Sequence, residues 1–172
     1  WKQVESFPAA EATCQTRSAK GIGRMPFPLS SGITRAETMK VSVIIPAHNA
    51  ENCLAQSLDR ALEQTVSPDE VVVINDGSTD GTGDVARGYG ERIVYLEQEN
   101  AGQGAARNRG LTVATGDLIA FLDSDDYWHP EFLERCVGFL QSHPEAVAVN
   151  TGLLTRLQDG RELLQPALLT GP

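Results

Sequence analysis

Three carboxylates within four residues, Asp123, Asp125 and Asp126, follow the apolar run that ends at Phe121 and Leu122. Acids this close repel one another, and the usual relief is a raised pKa or a bound cation. Hard divalent ions such as Mg2+ or Mn2+ take few protein carboxylates and complete their shell with water and phosphate oxygens. The pattern therefore suits a metal-diphosphate site; the competing reading is an acidic turn that caps a helix opened by Pro130. Asp76 also has two readings. At the tip of a second apolar run it could accept from a base N–H, or it could bond backbone N–H groups of the turn formed by Gly77, Ser78, Thr79, Asp80 and Gly81.

Two apparent motifs fail on inspection. Asp76-x-Ser78-x-Asp80-Gly81 imitates the start of an EF-hand loop, but the twelfth position is Arg87 where that loop needs Glu. Gly102-x-Gly104 with Asp123 about 20 residues on looks like a dinucleotide fingerprint. Arg107 stands at its third small position, however, and the segment follows the third strand rather than the first. Arg107 and Arg109 either face an anionic ligand or are solvated helix charges, and spacing alone does not choose. There is no phosphate-binding GxxxxGK[ST] loop.

These residues need elements to hold them. Val41, Val43, Ile44 and Ile45 predict a strand covered on both faces and ended by Pro46. Leu54, Leu58, Ala61 and Leu62 predict a helix over 51–64 with one apolar stripe. Further strands are predicted over 71–74, 93–96 and 118–122. A short helix after the turn at 77–81, a helix over 105–114 and a helix from Pro130 alternate with them. After Pro144 a strand is predicted within 146–157, with a hairpin turn at Asp159 and Gly160. Strand and helix in alternation indicate an α/β sheet with helices on both faces, and no internal repeat is present. Such sheets bind ligands outside the carboxyl ends of their strands, where this chain places Pro46-Ala47-His48-Asn49, Asn75-Asp76-Gly77-Ser78 and the acidic run.

The chain has 172 residues, 41% of them hydrophobic, and a net charge of -9, as expected for one acidic globular domain. That charge argues against nucleic-acid binding by broad phosphate neutralisation. No apolar run reaches the roughly 18 residues of a membrane span, and the first 30 residues lack the apolar core of a secretory signal, so the expectation is a soluble, cytoplasmic chain. Cys14, Cys53 and Cys136 are odd in number and far apart, which indicates neither a disulfide framework nor a zinc site. Residues 1–38 carry scattered prolines without apolar periodicity and read as a poorly ordered linker or upstream segment. The domain is expected over 39–172.

Together, Val43 to Asn49, Val73 to Asp80, Asn100 to Asn108 and Phe121 to Asp126 resemble the nucleotide-sugar half of the family 2 inverting glycosyltransferases of the GT-A fold, over about residues 41–150. Four motifs in order make the resemblance specific. It implies a Rossmann-like, mostly parallel sheet and a nucleotide-sugar donor, a UDP-sugar above all, bound with Mg2+ or Mn2+. In that pattern Pro46 and Ala47 line the uridine pocket, His48 and Asn49 follow near the base, and Asp76 bonds the uracil ring. Arg107 lies near the nucleotide, Asp123 and Ser124 belong to the D-x-D motif near the ribose, and Asp125 binds the metal. Asn75 departs from the pattern, where Asp is common.

A nucleoside diphosphate leaves readily only when its developing charge is neutralised, and inverting transfer also needs a general base opposite the leaving group. The resemblance puts that base in a later acidic motif, beyond Pro172, and neither Asp159 nor Glu162 suits the role. The chain is accordingly expected to be a donor-binding fragment, truncated at both ends, that transfers sugar poorly or not at all alone. In a full-length protein the acceptor would be a glycan or lipid-linked sugar, and peripheral association with the inner face of the membrane is compatible with it. Rival readings are a nucleotidyltransferase, which would need a basic Gly-rich loop after the first strand, and a non-catalytic nucleotide-binding or interaction module without metal. A two-carboxylate glycosidase is disfavoured, because its acids must flank a scissile bond about 5 to 10 Å apart.

Overall fold

The computed structural model describes residues 3–6, 13–14, 39–156 and 162–165. In chain order the elements are β1 (Gln3–Ser6), β2 (Thr13–Cys14), β3 (Val41–Ala47), α1 (Leu54–Leu62), β4 (Glu70–Asp76), α2 (Thr82–Arg87), β5 (Val94–Gln98), α3 (Gln103–Leu111), β6 (Leu118–Phe121), β7 (Tyr127–Trp128), α4 (Phe132–Ser142), β8 (Val149–Asn150), β9 (Leu153–Arg156) and β10 (Glu162–Gln165). The central sheet is four-stranded and wholly parallel, in the order β5-β4-β3-β6. A second sheet runs β10-β9-β1-β7, and β2 pairs with β8. Apart from β1 and β2, the expected linker over 1–38 lies outside the described residues. So does the expected turn at Asp159 and Gly160, although β9 and β10 on either side of it pair antiparallel.

β3 is buried at all seven positions, as its continuous apolar run predicts. Side chains alternate between faces with a period of two. Val43 and Ile45 of β3 and Val71 and Val73 of β4 join Leu54, Leu58, Ala61, Ala86, Leu133 and Val137 in one core, which places α1, α2 and α4 on that face. Ile44, Val72 and Ile74 point the other way and pack with Ala106 of α3. Helices therefore cover both faces of the sheet. Among the described residues, no helix is long and apolar enough to cross a membrane.

α1 begins with the first residue of the apolar stripe, three residues later than the start of the helix expected over 51–64. The carbonyl of Ala50 accepts from the N–H of both Cys53 and Leu54, so a turn precedes the helix. The predicted strand over 146–157 is likewise split into β8 and β9. Buried polar side chains tie the layers together. Gln64, 5% exposed, donates from Nε2 to the carbonyls of Arg60 (3.0 Å) and His129 (2.9 Å) and accepts at Oε1 from the Leu133 N–H (3.0 Å), fastening the end of α1 to the start of α4. Gln64→Ala leaves the buried Leu133 N–H without its acceptor, and the expected loss is about 1 to 2 kcal/mol in urea unfolding. At the amino-terminal edge of the sheet, Glu70 accepts from the Ser42 hydroxyl and from the Thr115 N–H and hydroxyl. Burial acts to raise the Glu70 pKa, but these bonds outweigh it and hold the carboxyl below its usual value.

Candidate functional site

The strand order changes direction between β3 and β6: from β3 the chain moves outward through β4 and β5, then returns to the far side of β3 with β6. A crevice opens at the carboxyl ends of such a pair. The last β3–β6 partners are Ile44 and Phe121, after which the Ile44 carbonyl accepts from the Leu122 N–H. Pro46, two residues further along β3, faces the same side, past the end of the ladder. Its missing N–H therefore costs no sheet hydrogen bond, which is how a proline is accommodated in a central strand. Pro46 and Ala47 are buried, Ala47 within the main core. They form the floor of this end of the sheet.

His48 and Asn49 emerge above them. The Nδ1 of His48 lies 2.7 Å from the Asp76 carbonyl oxygen, which can only accept, so Nδ1 carries the proton. Nε2 is then an acceptor, 3.2 Å from the Nδ2 groups of both Asn49 and Asn100. Asn49 sits at φ 48, a left-handed conformation that Asn tolerates better than most residues. Its Oδ1 accepts from the Thr79 N–H (2.9 Å) and its N–H donates to Ser78 Oγ (3.0 Å), joining the loops after β3 and β4. A second clasp lies beside it. Glu51 N–H donates to Asp80 and Gly81 N–H to Glu51, while the buried Thr82 hydroxyl accepts from the Ala50 N–H. Asp80 itself accepts from the Thr82 N–H at the start of α2, two residues on, so the EF-hand-like run is an Asx turn that leads into the helix.

Asp76 is 3% exposed and fully engaged with protein. Its Oδ1 accepts from Gln98 Nε2 (2.7 Å) and the Ala101 N–H (2.9 Å), and its Oδ2 from the Gly102 N–H (2.8 Å). Burial acts to raise its pKa, but the bonds from Ala101, Gln98 and Gly102 prevail, and the carboxyl is held below its usual value. Of the two sequence readings of Asp76, backbone bonding is present, with the 98–102 loop in place of its own turn. Gly77, at φ +64, makes room for that loop: a Cβ there would lie 2.5 Å from the Asn100 nitrogen. The neighbouring Asn75 is satisfied too, donating to the Tyr95 hydroxyl (3.0 Å) and accepting from the Ser78 N–H (3.2 Å).

The acidic run forms a tight turn in which the Asp126 N–H donates to the Asp123 carbonyl. Its three carboxylates have different surroundings. Asp123 pairs through Oδ1 with Arg107 Nη2 (2.5 Å) and Gln103 Nε2 (2.9 Å), both from α3. Burial, followed by the charges of Asp125 and Asp123, pushes Asp126 up to about 6. Asp125 is exposed and takes no hydrogen bond or ion pair from a described residue. Ser57, buried on the inner face of α1, holds the turn from beneath, its hydroxyl lying 2.8 Å from the Ser124 carbonyl and 2.6 Å from that of Asp126. Arg109, by contrast, is an exposed helix residue with no side-chain partner among the described residues.

Among the described residues, no group of three or more His, Cys, Asp or Glu side chains is arranged to hold a metal ion alone. The donor set fits a different arrangement, in which one exposed carboxylate, Asp125, is supplemented by ligand oxygens and water, the habit of Mg2+ and Mn2+. The local electrostatics agree, because two of the three neighbouring acids remain without a cationic partner. The 98–107 segment thus links His48, Asp76, Arg107 and Asp123 into one hydrogen-bonded rim, with Asp125 beside it. The sequence motifs do not single out Ser57, Gln98 and Gln103. Ser57 was visible as a polar residue on the apolar stripe of α1, and Gln103 as the residue one helical turn before Arg107.

The Glycosyl transferase family 2 profile matches residues 42–160. Glycosyltransferase GlyA of Streptococcus pneumoniae is 42% identical over 113 residues, covering 64% of this chain and 16% of its own length. The fold is similar to S. aureus TarS 1-349 in complex with UDP-GlcNAc, with a TM-score of 0.56 and 34% identity over 62% of this chain and 32% of that one. It is also similar to the mannosyltransferase PcManGT from Pyrobaculum calidifontis in complex with GDP-Man and Mn2+, with a TM-score of 0.56 and 32% identity over 61% of this chain and 33% of that one. The chain thus spans about a third of these solved chains and less of GlyA.

Proposed function

The chain belongs to glycosyltransferase family 2 and has the GT-A architecture, and from that premise we propose that residues 39–172 form a donor domain that binds a nucleotide-diphospho-sugar, a UDP-sugar, with Mg2+ or Mn2+ for inverting transfer to a glycan or lipid-linked acceptor. The observation that carries the reading is the sorting of the acidic turn, with Asp123 neutralised by Arg107, Asp126 raised by burial and Asp125 left exposed. UDP-GlcNAc bound to TarS, and GDP-Man with Mn2+ bound to PcManGT, support it.

In this reading His48 and Asn49 border the base, and Asp76 fixes the wall beside it by holding the 98–102 loop. Pro46 and Ala47 form the floor. Asp123 and Ser124 face the ribose, Arg107 lies near the nucleotide, and Asp125 holds the cation. A divalent cation bound there supplies charge neutralisation for the departing diphosphate. We assign the general base to none of these residues.

Calorimetric titration of UDP tests the reading. Binding is expected in Mn2+ and should weaken by about tenfold or more when EDTA replaces the metal or when Asp125 is changed to Ala, the equivalent of about 1.4 kcal/mol. UDP binding that ignores both changes would favour a metal-independent nucleotide-binding module. No binding to the folded chain would remove the donor-site reading altogether.

A further inference from the structure

The acidic turn needs an explanation for why Asp123, one of three crowded acids, has a fixed orientation. α3 supplies it. Gln103 and Arg107 are four residues apart, hence on one face of the helix, and both reach the same atom, Asp123 Oδ1, at 2.9 and 2.5 Å. Asp123 Oδ2 receives no hydrogen bond from a described residue. A carboxylate clamped through one oxygen presents the other in a defined direction, and two lone pairs remain there to accept from hydroxyl groups.

Arg107 alone would not fix this geometry. Its guanidinium lies over the Phe121 ring at 5.7 Å, and its buried Nε has no partner. The single Nη2 contact leaves the carboxylate free to swivel about Oδ1. Gln103 adds a second direction of approach. It is also uncharged, so it restrains Asp123 without further reducing the negative charge beside Asp125. Gln103 opens α3 immediately after Gly102, whose φ of +87 turns the chain into the helix and whose N–H is held by Asp76.

We propose that Gln103 is a specificity-determining positioning residue that, with Arg107, clamps Asp123 by Oδ1 and thereby aims Oδ2 at the ribose hydroxyls of the donor. The inference rests on the nucleotide-sugar reading of the site and deepens it. Discrimination between a ribonucleotide and a nucleotide lacking the ribose hydroxyls is then set partly by α3, through a residue that does not itself touch the sugar.

The test compares the affinities of UDP and 2′,3′-dideoxy-UDP in Mn2+ for the whole chain and for Gln103→Ala. The unsubstituted chain should prefer UDP. The variant should lose about fivefold in UDP affinity while holding the dideoxy analogue as before, so that the preference shrinks by the same factor. Gln103→Asn, which keeps the amide but is one methylene too short, should behave like Gln103→Ala, and its circular dichroism should match the parent. Equal weakening of both nucleotides, or an unchanged preference in both variants, would overturn the role of Gln103 while leaving the donor site intact. Failure of the unsubstituted chain to bind UDP would overturn the site reading and this inference with it.

Discussion

Asp76→Ala is expected to cost about 3 kcal/mol of folding stability in the absence of any nucleotide. Three donors converge on this carboxylate, from Gln98, Ala101 and Gly102. Hydrogen bonds to a charged acceptor contribute about 1.5 to 3 kcal/mol each. Their full sum is not lost, because Ala101 and Gly102 are exposed and water can reach their N–H groups once the loop loosens. The pH dependence identifies the cause. Asp76 is held below its reference value of 3.8, so its contribution is fully present above that value and is lost as pH falls through the lower folded-state pKa. Asp76→Asn carries no such titration. The gap in urea stability between the parent and Asp76→Asn should therefore be constant from neutral pH down to about 5 and should narrow below about 4. A gap that persists unchanged at pH 3 would show that the carboxylate charge is not what holds the loop.

The sequence disclosed the fold more fully than the site because the two depend on signals of different range. Strands β3 and β4 were legible in Val43 to Ile45 and Val71 to Ile74, since burial on both faces demands uninterrupted apolar runs. The stripe of α1 and the face of α4 were legible for a similar reason. The acidic turn was legible because three acids at one strand end are costly without a purpose. What the sequence did not reveal was which acid had which partner. Asp123 and Arg107 are 16 residues apart, Asp76 and Gly102 are 26 apart, and Ser57 and Ser124 are 67 apart. Those pairings follow from the strand order, which sets β5 beside β4 and brings β6 back beside β3. Asn75 shows the same limit: its departure from the family pattern is absorbed by Tyr95 on the adjacent strand β5, a partner that no local rule identifies.

The close seating of α3 on the sheet joins fold to site, and Gly110→Val should break it at a cost of about 3 kcal/mol. A Cβ at Gly110 would lie 2.5 Å from Ile44 Cγ2, closer than real contacts allow, and a tight 3.2 Å from its Cδ1. Ile44 cannot retreat, being wholly buried among Val72, Ile74 and Ala106. Glycine in a helix carries a propensity penalty of about 1 kcal/mol relative to Ala, so its presence here is explained by packing, not by helix formation. Since Ile44 does not yield, α3 must lift. Gln103 and Arg107 ride on the same helix, so their hold on Asp123 should loosen together with the core. Gly110→Val is therefore expected to lower both the thermal midpoint and the preference for UDP over its dideoxy analogue, although Gly110 has no side chain to reach the acidic turn. A double-mutant cycle separates contact from general weakening. Ile44→Ala alone opens a cavity and should cost about 2 to 5 kcal/mol, yet combined with Gly110→Val it gives the new methyls somewhere to go. The double variant should consequently be more stable than the sum of the single losses by about 1 kcal/mol or more. Strict additivity would mean that the two residues do not compete for the same space, and that the close approach of α3 to β3 is not what sets the position of Gln103.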